Sequence, residues 1–560
     1  MLTAMSAPAS RPVTRKVARP LLVLAFLICG AALLAPLLTY PLGRDQAVFA
    51  TAGRIIANGG VPYKDAWDMK PPGVFYLFWL SFTLFGPSES APRLLDLFWS
   101  LATAAAIWAL ARRIFSEWAG VAAAFLFLLR YIGHDYYWHT TQCDGFASLP
   151  LALAALALVA AEEKKSVWWA GACGALVGFA VVFKFTLGIF LALPLVALIA
   201  AAGEPARRRA ARAVFYLGGC AAVLAAVAGL IWKAGALQQM TEIIFVWNSQ
   251  YARLQTPGLP GHNAVAELAN LLVGSPNRLL FPIGLLALVG AADLCLRPTS
   301  GRNRWLVPAW AIAILAQVWI QGRYYSYHWL PALPPLALLA AQGLRTISRP
   351  LRAAASPRAA RALSALGLAV LFGFLSFAHW NFLRWPLRHL AGRVPRATYL
   401  RGFDLHTQSD FSLTADRAVA SWIRQHTPKD ASIFIWGFEP LVYFLADRSP
   451  ASRFLYNIPL AAPWSPPEWR VELVRDLHEK RPPYVLVVHN DAQPWMAGRW
   501  DDSASQLATY PELDTLLREG YRLRERIEDF DIFERRDHES PADDASDSGG
   551  APGMKPQSPM

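Results

Sequence analysis

The sequence predicts a polytopic α-helical membrane protein: about eleven transmembrane helices, juxtamembrane helices on the outer face, and a small carboxyl-terminal soluble α/β domain. Three observations carry that prediction. Of 560 residues, 55% are hydrophobic and only 17% charged, with a mean hydropathy of +0.29, whereas a soluble chain of this length carries more charge. Apolar runs approaching the ~20 residues that cross ~30 Å of hydrocarbon recur through the first two thirds of the chain. The net charge of +13 comes from Arg and Lys grouped between those runs, the pattern of topogenic loops, and this argues against a nucleic-acid face.

The predicted spans are 20–40, 91–111, 118–133, 146–161, 167–183, 185–202, 214–232, 279–296, 305–320, 329–344 and 362–382. The first follows Arg11, Arg15, Lys16 and Arg19 and lacks an A-x-A cleavage site, so it reads as a retained span with a cytoplasmic amino terminus. The run 73–86 would make a helix of only ~21 Å, too short to cross comfortably. If it stays on the outer surface, the groups Arg112/Arg113, Lys164/Lys165, Arg207–Arg209 with Arg212, Arg297/Arg302/Arg304 and Arg345–Arg361 all fall inside. If it crosses, all five flip outside together, so the surface placement satisfies the positive-inside rule.

The resulting division is 1–19, a cytoplasmic amino terminus; 20–390, a membrane domain; 391–535, an extracytoplasmic α/β domain; and 536–560, a disordered tail rich in Ser, Pro, Asp and Gly. The location is the inner (plasma) membrane. In the α/β part LTADRAVASWIRQHT and PPEWRVELVRDLHEKR have helical periodicity, and SIFIW, YVLVVH and DFDIFER read as strands. Four of the five cysteines lie inside apolar runs and only Cys143 in a polar loop, which excludes a framework of paired disulfides.

The polar residues of the outer loops form a coherent set. Asp45 opens DQAVFATAGRIIANGG, where Val48, Phe49, Ala52, Ile55 and Ile56 predict an amphipathic helix lying flat on the membrane. Asp45 is either an N-cap or a carboxylate facing a cleft. Asp144, just before the span 146–161, divides in the same way between a helix cap and a paired functional group. Lys184 stands alone between two apolar runs, either snorkelling or binding an anion. Arg323 and His328 sit among the aromatics of QGRYYSYHW, a loop that also reads as a membrane anchor. His134, Asp135 and His139 are candidate ligands for a divalent metal ion, on a spacing that matches no recognised motif; no cofactor is required.

Two carboxylates and several cations against an outer leaflet suit glycosyl transfer from a polyprenyl-phosphate sugar. The leaving group is already an acidic phosphate, so it needs cations and no general acid; Lys70, Lys184, Arg323 and His328 are the candidate clamp. The acceptor hydroxyl needs a base, with Asp45 the first candidate and Asp144 supporting or sharing the role. A single displacement inverts the anomeric configuration. The competing reading is a transporter or flippase of an envelope lipid or glycan precursor, but carriers place ionisable groups near the bilayer midplane and often show repeats. Here the charges gather on one face and no repeat is visible.

At these residues the chain resembles the polyprenyl-phosphate-dependent glycosyltransferases of the C superfamily, close to family 39. That group includes protein O-mannosyltransferases and the lipid A aminoarabinose transferase. The match consists of Asp45 opening the first outer loop, G-x-P-Y-x-D at 60–65, K-P-P at 70–72, Asp144, Lys184, and G-R-Y-Y-S-Y-H at 322–328 before a Pro-rich span. The resemblance implies a catalytic aspartate at Asp45, juxtamembrane helices in loop one, and a lipid-phosphate clamp that includes Lys70. Tyr63, Asp65 and Tyr324, within the matching motifs, are the candidate substrate contacts. The expected partners are a polyprenyl-phosphate sugar, the bilayer and an envelope lipid, glycan or protein acceptor, lipid or glycan before protein. Many relatives have Glu where this chain has Gln46, and several have Glu where it has Met69. The carboxyl-terminal domain is not the three-repeat domain of eukaryotic protein O-mannosyltransferases.

Overall fold

Runs rich in Ala and Leu with few internal breakers form helices because the backbone must bond to itself wherever water is absent. The computed structural model describes residues 13–132, 136–201, 203–254, 283–297, 305–354, 380–406 and 410–538, with isolated positions between 355 and 379. Helix α1 (Val13–Leu34) passes through a 3-10 turn, Ala35–Thr39. The chain then bends by 87° into α2 (Arg44–Ala57). Gly43 stands at the bend because a Cβ there would lie 2.6 Å from the Trp138 ring. Then come α3 (Gly73–Phe85), α4 (Ser90–Ile114), α5 (Glu117–Ile132), α6 (Cys143–Lys164), α7 (Val167–Val181) and α8 (Ala206–Lys233). Helices α9 (Ile283–Leu296), α10 (Leu306–Gln321) and α11 (Leu333–Ile347) follow, and the shorter apolar segment Phe185–Ile199 lies between α7 and α8.

Among the described residues α4, α6 and α8 are long and apolar enough to cross a membrane, and the bent pair α1–α2 makes a fourth candidate if it counts as one span. Ile28, Trp168, Val214, Leu230 and Ile312 leave large apolar surfaces exposed on the bundle, as helices facing lipid do. Close helix packing relies on small residues: a Cβ on Gly174 of α7 would lie 1.8 Å from the Tyr216 carbonyl oxygen of α8, so the two backbones nearly touch.

Most of the span 362–382 and the tail from 539 lie outside the described residues. The carboxyl-terminal part contains α12 (Leu413–His426), β1 (Ser432–Trp436), α13 (Leu441–Ala446), β2 (Ser449–Pro450), α14 (Pro467–Lys480), β3 (Tyr484–Val488), β4 (Tyr521–Ile527) and β5 (Phe530–Arg535). The sheet order is β2-β1-β3-β5-β4. The pairs β2–β1 and β1–β3 are parallel, and β3–β5 and β5–β4 antiparallel. Strand β3 is buried throughout (Tyr484–Val488), as a strand covered on both faces must be. Strand β4, YRLRERI, has no counterpart in the sequence reading: its alternating arginines mask a mostly exposed edge strand.

This α/β part docks on the first loop of the membrane part. Trp67 is fully buried, with the rings of Trp247, Tyr456 and Trp469 at 4.9, 5.7 and 5.7 Å. Its backbone N–H donates to the Arg453 carbonyl at 2.7 Å, and Arg453 Nη1 donates to the Tyr63 carbonyl at 3.1 Å. Phe82 of α3 stacks on Phe444 of α13, 5.5 Å between centroids.

One expectation is corrected here. Helix α2 does not lie as an amphipathic helix with one apolar face on a membrane. From Gln46 to Gly53 every residue is buried, Gln46 and Thr51 included, because α2 packs against both α3 and α13. A sheet and helices drawn from the last third of the chain cover the face that would otherwise be wet.

Candidate active site

The first turn of α2 sets the site. Its N-cap is Gly43, whose N–H donates to Gln46 Oε1 at 3.1 Å, so Asp45 does not cap the helix. Gln46 Nε2 donates to three carbonyls of the second outer loop, Tyr137 at 2.8, Trp138 at 3.2 and Thr140 at 3.0 Å. Asp45 lies between two anchored neighbours, and no hydrogen bond or ion pair engages its carboxylate among the described residues. It lines a cavity of about 320 Å³.

Lys70 lines the same cavity. A tight turn presents it. Tyr63 holds φ +71°, a rare conformation for a bulky residue and a form of strain that surrounding structure must hold in place. The Tyr63 N–H donates to the Ala66 carbonyl at 2.8 Å, and its hydroxyl to the Lys70 carbonyl at 3.0 Å. The Lys70 N–H donates to Asp68 Oδ1 at 2.7 Å, and Asp68 Oδ2 accepts from Tyr456 of the α/β part at 3.1 Å. Burial pushes Asp68 up to about 6, although Lys70 pulls the other way. Burial also works against the Lys70 charge, but Asp45 and Asp68 outweigh it and raise the ammonium above its ordinary value. Its Nζ sits 5.9 Å above the Tyr327 ring.

Much of the rest of the cavity wall is aromatic: Trp138, Tyr251, Tyr325 and Tyr327 from the membrane part, Phe411, Phe438 and Trp495 from the α/β part. Sugar rings present C–H faces that pack on such surfaces while their hydroxyls find polar groups, here Gln142 and Gln493. The sequence reading singled out none of these wall residues as site members. The aromatics of QGRYYSYHW looked like membrane anchors, and nothing marked Trp495 as a neighbour of Asp45.

The other predicted residues fall in different places. Asp144 is fully buried in the first turn of α6 and ion-paired to Lys184; neither lines the cavity. The N-cap of α6 is Gln142, so Asp144 does not cap that helix either. Arg323 is buried, 4.5 Å above the Tyr251 ring, and donates to the Tyr251 carbonyl. His328 packs on Tyr325 and Tyr327, with centroids at 5.3 and 4.7 Å. Its Nδ1–H donates to the Arg323 carbonyl at 2.6 Å, which leaves Nε2 as an acceptor. Burial first, and then Lys184, hold this ring well below its ordinary pKa, so it is neutral and adds no standing positive charge. Tyr324 stacks on Trp329 at 6.4 Å and is outside the cavity wall. Asp65 is exposed and accepts the Val61 N–H at 2.7 Å, closing the turn. His139 is buried, while His134 and Asp135 lie outside the described residues. Among the described residues no group of three His, Cys, Asp or Glu side chains is placed to hold a metal ion.

A bent helix pair, two helices in the loop that follows its first member, and an aspartate at the mouth of that loop frame the cavity. Residues 69–232 match the family described as dolichyl-phosphate-mannose-protein mannosyltransferase. The whole chain is similar in fold to ArnT from Cupriavidus metallidurans. With the apo form the TM-score is 0.60, and with the form bound to undecaprenyl phosphate 0.58; both are 15% identical, covering 93% of this chain and 98% of that one. It is also similar to the Archaeoglobus fulgidus oligosaccharyltransferase tethered to an acceptor peptide: TM-score 0.51, 14% identity, 92% of this chain and 74% of that one. No curated protein matches it. The chain thus resembles the polyprenyl-phosphate-dependent glycosyltransferases of the C superfamily.

Proposed function

We propose that this chain is a membrane glycosyltransferase that moves a sugar from a polyprenyl phosphate to a hydroxyl of a cell-envelope acceptor. The observation that carries the reading is the pairing of an unengaged carboxylate, Asp45, with a half-buried ammonium, Lys70, on one aromatic-walled cavity. Asp45 takes the proton of the acceptor hydroxyl as its oxygen bonds to the anomeric carbon. The anomeric C–O bond to phosphate breaks with its electron pair going to the phosphate, whose charge Lys70 meets. A single displacement inverts the anomeric centre.

The clamp extends from Lys70 through the Tyr325–Tyr327 wall to Arg323 and His328. The neutral imidazole joins the Lys70 ammonium and the Arg323 guanidinium as a third cation only once an anion draws a proton to it. Asp144 and Lys184 support this wall from within, and Tyr63 and Asp65 shape the turn that presents Lys70. About eleven spans in the inner membrane, with the cavity and the α/β domain (391–535) on the extracytoplasmic face, fit the distribution of Arg and Lys. A lipid or glycan acceptor fits the aromatic walls better than an extended peptide does. The transporter reading is disfavoured, because a carrier site lies near the bilayer midplane, whereas this cavity draws Gln493, Trp495 and Met496 from the α/β part.

Mass spectrometry of envelope lipids and glycans from a deletion strain should show one glycosyl modification missing and restored by the wild-type gene. Asp45→Asn should lower the rate of that transfer by about 10²–10⁴-fold, the usual worth of a general base. Transfer at the wild-type rate in Asp45→Asn rejects the base assignment.

A further inference from the structure

The residue before Asp45 is an arginine that reaches into the α/β part. Arg44 is 7% exposed. Its Nε donates to the Phe438 carbonyl at 2.9 Å and to Glu439 Oε1 at 3.0 Å. Its Nη2 meets Glu439 Oε1 and the Asp410 carbonyl. The rings of Phe411 and Phe438 flank the guanidinium at 5.3 and 5.7 Å. Both rings also line the cavity that holds Asp45.

These partners share a place in the sheet. Phe438 and Glu439 follow β1, and Asp491 follows β3 and accepts the Phe438 N–H at 3.2 Å. The parallel strands β1 and β3 thus end together, and in open α/β sheets the crevice beyond the carboxyl ends of the strands is where a ligand binds. Here a side chain from another part of the same chain occupies it.

The crevice is acidic. Asp416, Glu439, Asp491 and Asp529 are all buried. Among the described residues both Asp416 oxygens, Glu439 Oε2 and Asp529 Oδ1 have no hydrogen-bond partner, which such groups tolerate only when protonated or facing a cation. Burial pushes Glu439 up to about 8, against the pull of Arg44, and Asp529 up to about 7. The nearby Arg417 turns to Glu89 instead, with its Nη2 2.5 Å away. Among the described residues Arg44 is therefore the cation paired with this cluster, and burial favours the protonated form of the surplus carboxyls.

Either side of Asp45 the chain is fixed in different bodies: Gln46 to the second outer loop of the membrane part, Arg44 to the residues that follow β1 and to the Asp410 carbonyl. We propose that Arg44 is a positioning residue for Asp45, so that the α/β domain sets where the base points. This rests on the assignment of Asp45 as the base. A displacement of about 1 Å at a reacting group can cost ~10²-fold in rate, and Arg44 ties the first turn of α2 to the segment that follows β1. Lysine is a poor replacement, because it lacks the planar fork that meets a carboxylate and two carbonyls while stacked between rings.

The test uses full-length protein in detergent with total lipid extract of the deletion strain, which supplies its own donor and acceptor. Initial rates are expressed per monodisperse molecule, and added undecaprenyl phosphate is the inhibitory probe of the phosphate site. Arg44→Ala should lose about 10²-fold in turnover while inhibition by undecaprenyl phosphate stays within about twofold, with Arg44→Lys and Glu439→Gln falling between it and wild type. Should Arg44→Ala fail to accumulate, the other two variants carry the test. Lower yield with wild-type turnover per folded molecule means a purely structural contact and overturns the proposal. If Asp45→Asn is itself fully active, the base assignment fails whatever Arg44 does. If Asp45→Asn is inactive while Arg44→Ala, Arg44→Lys and Glu439→Gln turn over normally, only the positioning proposal falls.

Discussion

Asp144 and Lys184 make the contact that Asp45 and Lys70 forgo. In the first couple the carboxylate is fully buried, the lysine side chain is 11% exposed, and the charges meet. In the second, both groups line one cavity without an ion pair between them, and the ammonium rests over the Tyr327 ring. The residue types are the same, and what differs is whether their bonding capacity is already used. Asp144 and Lys184 satisfy each other, so they hold α6 to the segment after α7. Lys70 is fixed through its backbone, by Tyr63 and Asp68, so its side chain is left for a ligand.

Breaking the closed couple should have the largest effect on stability. Lys184→Met leaves a buried carboxylate alone and should cost about 3–5 kcal/mol, whereas Lys184→Met with Asp144→Leu should recover most of that loss. Thermal unfolding in detergent reads both. An Asp144→Leu partner that gives no recovery would mean the two residues act separately. Lys70→Met should do the reverse, losing about 10²–10³-fold in transfer rate, as removal of a preorganised charge partner does. Its melting temperature should stay near wild type, and inhibition by undecaprenyl phosphate should weaken. A stable Lys70→Met enzyme with unchanged turnover would remove Lys70 from the clamp.

The smallest effect concerns the acid-lined crevice beside the site. Glu439 and Asp529 have folded pKa values raised to about 8 and about 7, and Asp416 shifts the same way through burial and Glu439. Between the unfolded and folded values the native state binds more protons. Their contribution to stability is therefore complete at acid pH and is lost as pH rises through 7 and 8, by at most ~1.4 kcal/mol per unit for each proton released. His328, lowered below its ordinary value, acts oppositely, adding stability as pH rises toward about 6.5. The window that isolates the carboxylates is thus pH 7 to 9. Unfolding followed by tryptophan fluorescence should show the melting temperature falling across that window, and falling less in Glu439→Gln. A flat profile in both proteins would contradict the protonated crevice.

The sequence made the helices legible because apolar runs and grouped arginines obey the bilayer, and SIFIW, YVLVVH and DFDIFER because their residues suit strands. Asp45 and Lys70 stood out for a related reason: a charge at the mouth of an outer loop needs a cause. What stayed hidden depends on contacts between distant segments. The burial of α2 needs α13, nearly 400 residues later, and nothing in DQAVFATAGRIIANGG announces it. Trp495 joins Asp45 on one cavity wall only once the α/β part docks. Gln46, noted as a departure from related chains, gains a reason in the fold: three carbonyl oxygens converge on it, and only an amide can donate to them while its own oxygen accepts from Gly43.

Strand β5 is the last strand among the described residues, yet it sits inside the sheet, between β3 and β4. A ribosome releasing this chain into the bilayer therefore delivers the helices and Asp45 long before the sheet can close. Until residue 535 has emerged, the crevice for Arg44 and the wall at Phe438 and Trp495 have no finished support. A nascent chain stalled midway would hold its aspartate in an unfinished pocket, and a nonsense mutation that removes β5 should damage the cavity although it lies far from Asp45 in the chain.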